Sequence, residues 1–147
     1  MTAHTPDLDG TQQAARPFTV LVYSDDANTR ASVLLALGPR PHPDLPSVEY
    51  VECATEPVVV QAFDRGGLDL AILDGEAVPV GGMGIARQVK DEIFRCPPVV
   101  LLTGRVEDAW LATWSRAEAV VPHPVDPLQL ATSVIGLLRG RVTPVTR

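Results

Sequence analysis

The side chains of this chain best placed to do chemistry are oxygens stationed where apolar runs end. LDLAILD, residues 68–74, closes on Asp74, and a glycine-spotted loop and a helical pattern follow. FTVLVY (18–23) is followed by Ser24, Asp25 and Asp26. PPVVLLTG ends on Thr103 and Gly104, and EAVVP leads into His123, which sits between two prolines. Carboxylates gathered at one point repel each other and are costly to ionise together without a cation. Mg²⁺ suits such donors, because it takes one or two carboxylates and keeps several waters. A hydroxyl from Thr103 and an imidazole from His123 would complete a pocket able to hold a phosphoryl group.

For these residues to meet, the segments carrying them must be neighbouring strands. The chain alternates short β-branched runs with helical patterns. After the run at 18–23, DDANTRASVLLALG opens with capping residues and stops at Gly38. VEYVECA (48–54) reads as an outer strand, and TEPVVVQAFDRGG as a helix with Thr55 as cap and Pro57 in its first turn. LDLAILD, PPVVLLTG and EAVVP are the remaining strands. GMGIARQVKDEIFR, RVEDAWLATWSRA and a segment running from Asp126-Pro127 to Gly140 are the remaining helices. Strands alternating with helices predict a doubly wound (βα)5 α/β fold, flavodoxin-like, with a parallel five-stranded sheet in the order 2-1-3-4-5. Ligands of such sheets lie beyond the carboxyl ends of the strands.

With 147 residues, 46% of them apolar, the chain can bury one substantial core. The expected domain spans 17–140, between a disordered lead (1–16) and a disordered tail (141–147). No apolar run reaches the ~18 residues of a membrane helix. The N-terminus has no secretion-signal pattern, so the expected compartment is the cytoplasm. A net charge of −6 without a basic cluster argues against direct DNA binding. Of the 12 basic residues 11 are Arg; the one lysine, Lys90, is expected on the outer face of its helix. Cys53 and Cys96 lack metal-ligand spacing and read as small buried hydrophobes.

VLVYSDDANTR, DLAILD, PPVVLLTG and AEAVVPHPVDPLQL together resemble the receiver domain of two-component response regulators, from about Phe18 to Arg139. The resemblance implies phosphorelay signalling, with Asp74 as the acceptor attacking the phosphohistidine of a sensor histidine kinase. Thr103 takes the family's hydroxyl position. Asp25, Asp74 and the backbone carbonyl of Glu76 take those of its Mg²⁺ ligands. Asp26 is placed for further acidic support, although its position suits the helix N-terminus better than the ion. The chain also departs from the pattern. The acidic pair falls on Ser24 and Asp25, His123 replaces the family's lysine, and Val120 stands where an aromatic switch residue is usual. Histidine is not a permanent cation at neutral pH. These departures resemble atypical, stand-alone pseudo-receivers, some of them actinobacterial, with a degenerate phosphoacceptor site and signalling through protein–protein contact.

Other readings stay open from sequence. Asp25 is either an ion ligand or a cap of the first helix. The side chain of Glu76 either adds an oxygen to the site or faces water. Trp110 and Trp114 lie one helical turn apart, so they share a side. One is expected in the core and the other exposed as an interface anchor. With Val120 they mark the face of helix 4, strand 5 and helix 5 on which receivers dimerise or dock partners. The alternative function is an aspartyl-phosphate-forming phosphohydrolase of haloacid-dehalogenase type, whose DxDx[TV] motif DGEAV weakly echoes. That enzyme class needs a lysine near the phosphate and a late acidic pair, which this chain lacks.

Overall fold

The computed structural model describes residues 16–104 and 110–142. Its strands are β1 (Phe18–Tyr23), β2 (Val48–Cys53), β3 (Leu70–Asp74), β4 (Val99–Thr103) and β5 (Ala119–Pro122). They pair in parallel in the order β2-β1-β3-β4-β5, as the alternating pattern predicts. The helices between them are α1 (Ala27–Leu37), α2 (Glu56–Arg65), α3 (Gly82–Glu92), α4 (Trp110–Ser115) and α5 (Pro127–Arg139). Most of the expected lead, most of the expected tail and the 105–109 start of the fourth helix lie outside the described residues.

Every residue of β3 and β4 is buried, as central strands covered on both faces require. The edge strand β2 instead exposes Glu49 and Glu52 while burying Val48 and Cys53. The two-residue period of the strands divides the core into two layers. Val20, Val22, Leu70, Ile72 and Val100 pack toward α1 and α5, where Val33, Val134 and Leu138 meet them. Leu21, Tyr23, Leu73 and Leu101 pack toward α2 and α3, against Val59, Phe63, Ile85 and Val89. Full burial of each such side chain contributes about 1.5–3 kcal/mol.

Local chemistry sets the helix ends. Asp26 caps α1 by accepting the Asn28 N–H at 2.8 Å, and Asp126 caps α5 by accepting that of Leu128 at 3.0 Å. Gly38 ends α1, and Gly66 ends α2, with left-handed φ angles of 67° and 78°. Thr55 precedes α2 without a side-chain cap bond. Lys90 does not lie on an outer face. Its ammonium reaches Glu118 at 2.6 Å and the Pro97 carbonyl at 3.3 Å, which buries most of the side chain at the amino rim of the sheet. Cys53 is buried, Cys96 is half-buried, and both are free thiols.

Strand register positions the site. Tyr23 lies opposite Leu73, Asp74 opposite Leu102, and Thr103 opposite Pro122. Ser24, Asp74, Thr103 and His123 therefore gather at one carboxyl rim. α3 begins directly on that rim. A β-carbon on Gly82 would fall 2.8 Å from the Asp74 carbonyl oxygen and from the Leu73 carbonyl carbon, so only glycine fits there.

Candidate functional site

Asp74 is only 3% exposed, and three hydrogen bonds hold its carboxylate. Ser24 Oγ donates to Oδ2 at 2.7 Å, and the Glu76 N–H donates to Oδ1 at 2.9 Å. His123 Nε2 lies 2.9 Å from Oδ1. An ionised carboxylate only accepts, so Nε2 carries the hydrogen of that contact. Bonds to a charged acceptor are roughly twice as strong as neutral ones. Together they offset the cost of holding a carboxylate away from water.

Ser24, which from sequence only stands where an acid is missing, is the hydrogen-bond partner of Asp74. Ser24 is wholly buried, and its hydroxyl also accepts the Asp26 N–H at 3.0 Å. Arg30 fixes it further by donating to the Ser24 carbonyl at 2.6 Å while pairing with Glu52 at 3.0 Å. The available signal was register. If Tyr23 pairs with Leu73, the residue after each must come level.

Asp25 and Asp26 separate in role. Asp26 is the helix cap. Asp25 is exposed, and its Oδ1 accepts the Val78 N–H at 3.1 Å, tying down the loop after Asp74. The Tyr23 hydroxyl holds the same loop by donating to the Val80 carbonyl at 2.5 Å. Burial pushes the Tyr23 phenol above its ordinary range, and the charges of Asp25, Glu56 and Asp74 add to this, so it remains a neutral donor. Glu76 is exposed and its carboxylate lies over Gly104, where a β-carbon would fall 2.5 Å from its Cδ.

Receiver domains generally bind Mg²⁺ at this position, and in this chain the carboxylates that would hold it are already engaged in hydrogen bonds. Ser24 replaces one acid and hydrogen-bonds to one Asp74 oxygen, while two N–H donors occupy the other. The carboxylate of Asp25 is engaged by the loop amide. Among the described residues no group of three or more His, Cys, Asp or Glu side chains could hold a metal.

Thr103 ends β4 beside Asp74, whose neighbour Gly75 donates to the Leu102 carbonyl at 2.7 Å. Its Oγ1 is buried and has no hydrogen-bond partner among the described residues. The Thr103 carbonyl accepts the His123 N–H at 2.7 Å, which fixes the imidazole-bearing turn to β4. A cleft of about 250 Å³, lined by Asn28, Thr29 and Ser32 of α1 and by His123, opens beside the site.

Val120 is half-buried against the layer of α2 and α3. Trp110 and Trp114 are 67% and 47% exposed, so neither enters the core, contrary to the expectation for one of them. Arg87 donates to the Trp114 carbonyl at 2.8 Å, and its guanidinium stands 5.2 Å over the indole. Among the described residues no helix is long and apolar enough to cross a membrane.

No protein-family model matches the chain. A Mycobacterium tuberculosis protein named "uncharacterized response regulatory protein" is 64% identical over 121 residues, 82% of this chain and 91% of the relative. The fold matches a response regulator receiver domain protein of Methanospirillum hungatei with a TM-score of 0.66 and 19% identity, covering 85% of this chain and 96% of that one. It also matches the receiver domain of Saccharomyces cerevisiae Ssk1, crystallised with the histidine phosphotransfer signaling protein Ypd1. That TM-score is 0.73 at 18% identity, with 88% of this chain and 94% of that one covered. The haloacid-dehalogenase alternative gains no support from these matches. Strand order, the position of Asp74 and a relative this close lead to one conclusion: the chain belongs to the response regulator family and is a receiver domain of phosphorelay signalling.

Proposed function

We propose that Asp74 accepts a phosphoryl group in a pocket completed by the hydroxyl of Thr103 and the Nε2–H of His123. The observation that carries this reading is the buried Thr103 Oγ1, without a hydrogen-bond partner among the described residues, at the strand end next to Asp74. An unmet buried hydroxyl costs about 1–3 kcal/mol. A phosphoryl oxygen on Asp74 would supply its partner.

The rest of the site makes the acceptor slow. Asp74 meets three donors before any phosphate arrives, which stabilises its lone pairs and lowers its nucleophilicity. Histidine takes the place of a permanent ammonium, and losing one fixed positive charge from such a preorganised clamp typically costs ~10²-fold in rate. Ser24 and the Glu76 amide keep the carboxylate oriented toward the incoming phosphorus.

The readout is protein contact rather than turnover, in keeping with the generally non-enzymatic signalling of receiver domains. The phosphoryl donor is a phosphohistidine side chain on a kinase or phosphotransfer protein, a reading supported by the yeast receiver crystallised with such a partner. Trp110 and Trp114 serve as the anchors of a partner or of a second copy, since exposed tryptophans are enriched among energetic hot spots. The acidic net charge of −6 disfavours direct DNA binding. Two free thiols are compatible with the reducing cytoplasm in which we place the module. Incubation with acetyl phosphate followed by intact-mass measurement should give a single phosphoryl adduct that Asp74→Asn abolishes. An adduct of equal yield on the Asn variant would remove Asp74 as the acceptor.

A further inference from the structure

The opposite rim of the sheet, where the strands begin, carries an unassigned cavity. It measures about 480 Å³ and opens between the ends of α2 and α3. That volume lies within the ~300–1,000 Å³ range of small-ligand pockets. Arg16, Arg95 and Arg141 line it together with a single carboxylate, Asp69. Asp69 is buried, and its Oδ2 accepts the Thr19 N–H at 2.9 Å. Arg16 and Arg141 both approach its other oxygen, each at 3.8 Å, which is beyond hydrogen-bond length. Each makes one backbone bond, Arg16 to the Pro17 carbonyl at 3.3 Å and Arg141 to the Leu68 carbonyl at 3.5 Å, out of the five N–H donors of a guanidinium. Among the described residues no carboxylate pairs with Arg95, whose guanidinium stands 5.3 Å over the ring of Phe94. Phe94 itself is 85% exposed.

Charge decides the kind of occupant. The carbonyl ends of α2 and α3 bring partial negative charge of about half a unit each. Together with Asp69 they leave a positive surplus in the cavity, although the chain as a whole is acidic. Guanidinium forks match carboxylate and phosphate oxygens two at a time, and an exposed phenyl ring offers a flat apolar surface. We propose that this cavity binds a small organic anion built on a planar ring, with its charged group on the arginines and its ring against Phe94. The site is at the opposite rim from Asp74 and does not depend on phosphorylation there.

Chemical-shift titration of the full chain tests this, with adenosine monophosphate, inorganic phosphate and adenosine as probes at constant ionic strength. The nucleotide should give saturable shifts at the amides of Gly66, Gly67, Phe94 and Arg95. Inorganic phosphate should bind more weakly, and adenosine should give no shift. Arg95→Gln, at an exposed position, should keep the folded spectrum and weaken nucleotide binding by about tenfold or more. Asp74→Asn should leave it unchanged. The proposal is overturned by no saturable shift with the nucleotide, by an equal response to adenosine or to inorganic phosphate, or by wild-type affinity in Arg95→Gln.

Discussion

Ser24→Ala removes the hydroxyl that replaces an acid in this receiver, and its effect follows from two hydrogen bonds. The lost bond is the 2.7 Å donation to Asp74 Oδ2, made where Ser24 is wholly buried and Asp74 nearly so. Water has little access to replace it. Hydrogen bonds to charged groups contribute about 1.5–3 kcal/mol, so the variant should lose about 2 kcal/mol. The Asp26 N–H, now 3.0 Å from Ser24 Oγ, sits at the surface and can turn to water, adding little. A loss of about 2 kcal/mol corresponds to a fall in Tm of about 5–8 °C for a domain of this size. Urea and thermal unfolding measure both quantities. The pairwise origin is tested in an Asp74→Ala background, where Ser24→Ala should cost less than about 0.5 kcal/mol. Equal losses in the two backgrounds would refute the coupling, and an unchanged Tm in the single variant would refute the bond itself.

Three further outcomes follow from named contacts. Gly82→Ala should destabilise by about 1–3 kcal/mol in urea unfolding, because its β-carbon meets the backbone of Leu73 and Asp74 at 2.8 Å rather than a yielding side chain. A loss below 0.5 kcal/mol, of the order seen for surface substitutions, would show that α3 can shift away. Burial pushes the Tyr50 phenol up to about 12, and its hydroxyl donates to the Gly38 carbonyl at 2.6 Å. Between the unfolded value of ~10 and the folded one the unfolded chain binds fewer protons, so stability is present below pH ~10 and falls as pH rises. Tyr50→Phe should flatten that fall in a series of urea midpoints, and parallel curves would contradict it. Mg²⁺ added at millimolar levels should produce no saturable shift of the Asp25, Asp74 or Glu76 amides, given the engaged oxygens; a saturable, site-specific response would show that the ion displaces those bonds.

The fold was legible because continuous apolar runs such as LDLAILD can only be buried strands, and their alternation with capped helices leaves few windings. Asp74, Thr103 and His123 could be placed because the first two close strands and the third directly follows one. What could not be read depends on contacts between distant segments. The bond from Ser24 to Asp74 spans 50 positions, and only strand register brings the two together. Lys90 looked solvent-facing on its own helix, but Glu118, 28 positions away, draws its ammonium inward. The one-turn spacing of Trp110 and Trp114 showed a shared side and gave no means of telling which side; both turn outward on α4. Asp26 was legible as a support of the helix N-terminus, whereas the role of Asp25 depends on the Val78 amide 53 positions away.

The most direct measurement is the rate of phosphotransfer from a phosphohistidine-bearing donor protein to wild type, Asp74→Asn and Thr103→Val side by side. The account predicts a slow but stoichiometric adduct on wild type and none on the Asn variant. It also predicts a rate at least about tenfold lower for the valine variant, which keeps the shape of Thr103 and lacks its hydroxyl. Transfer to Thr103→Val at the wild-type rate would contradict the role given to that buried oxygen.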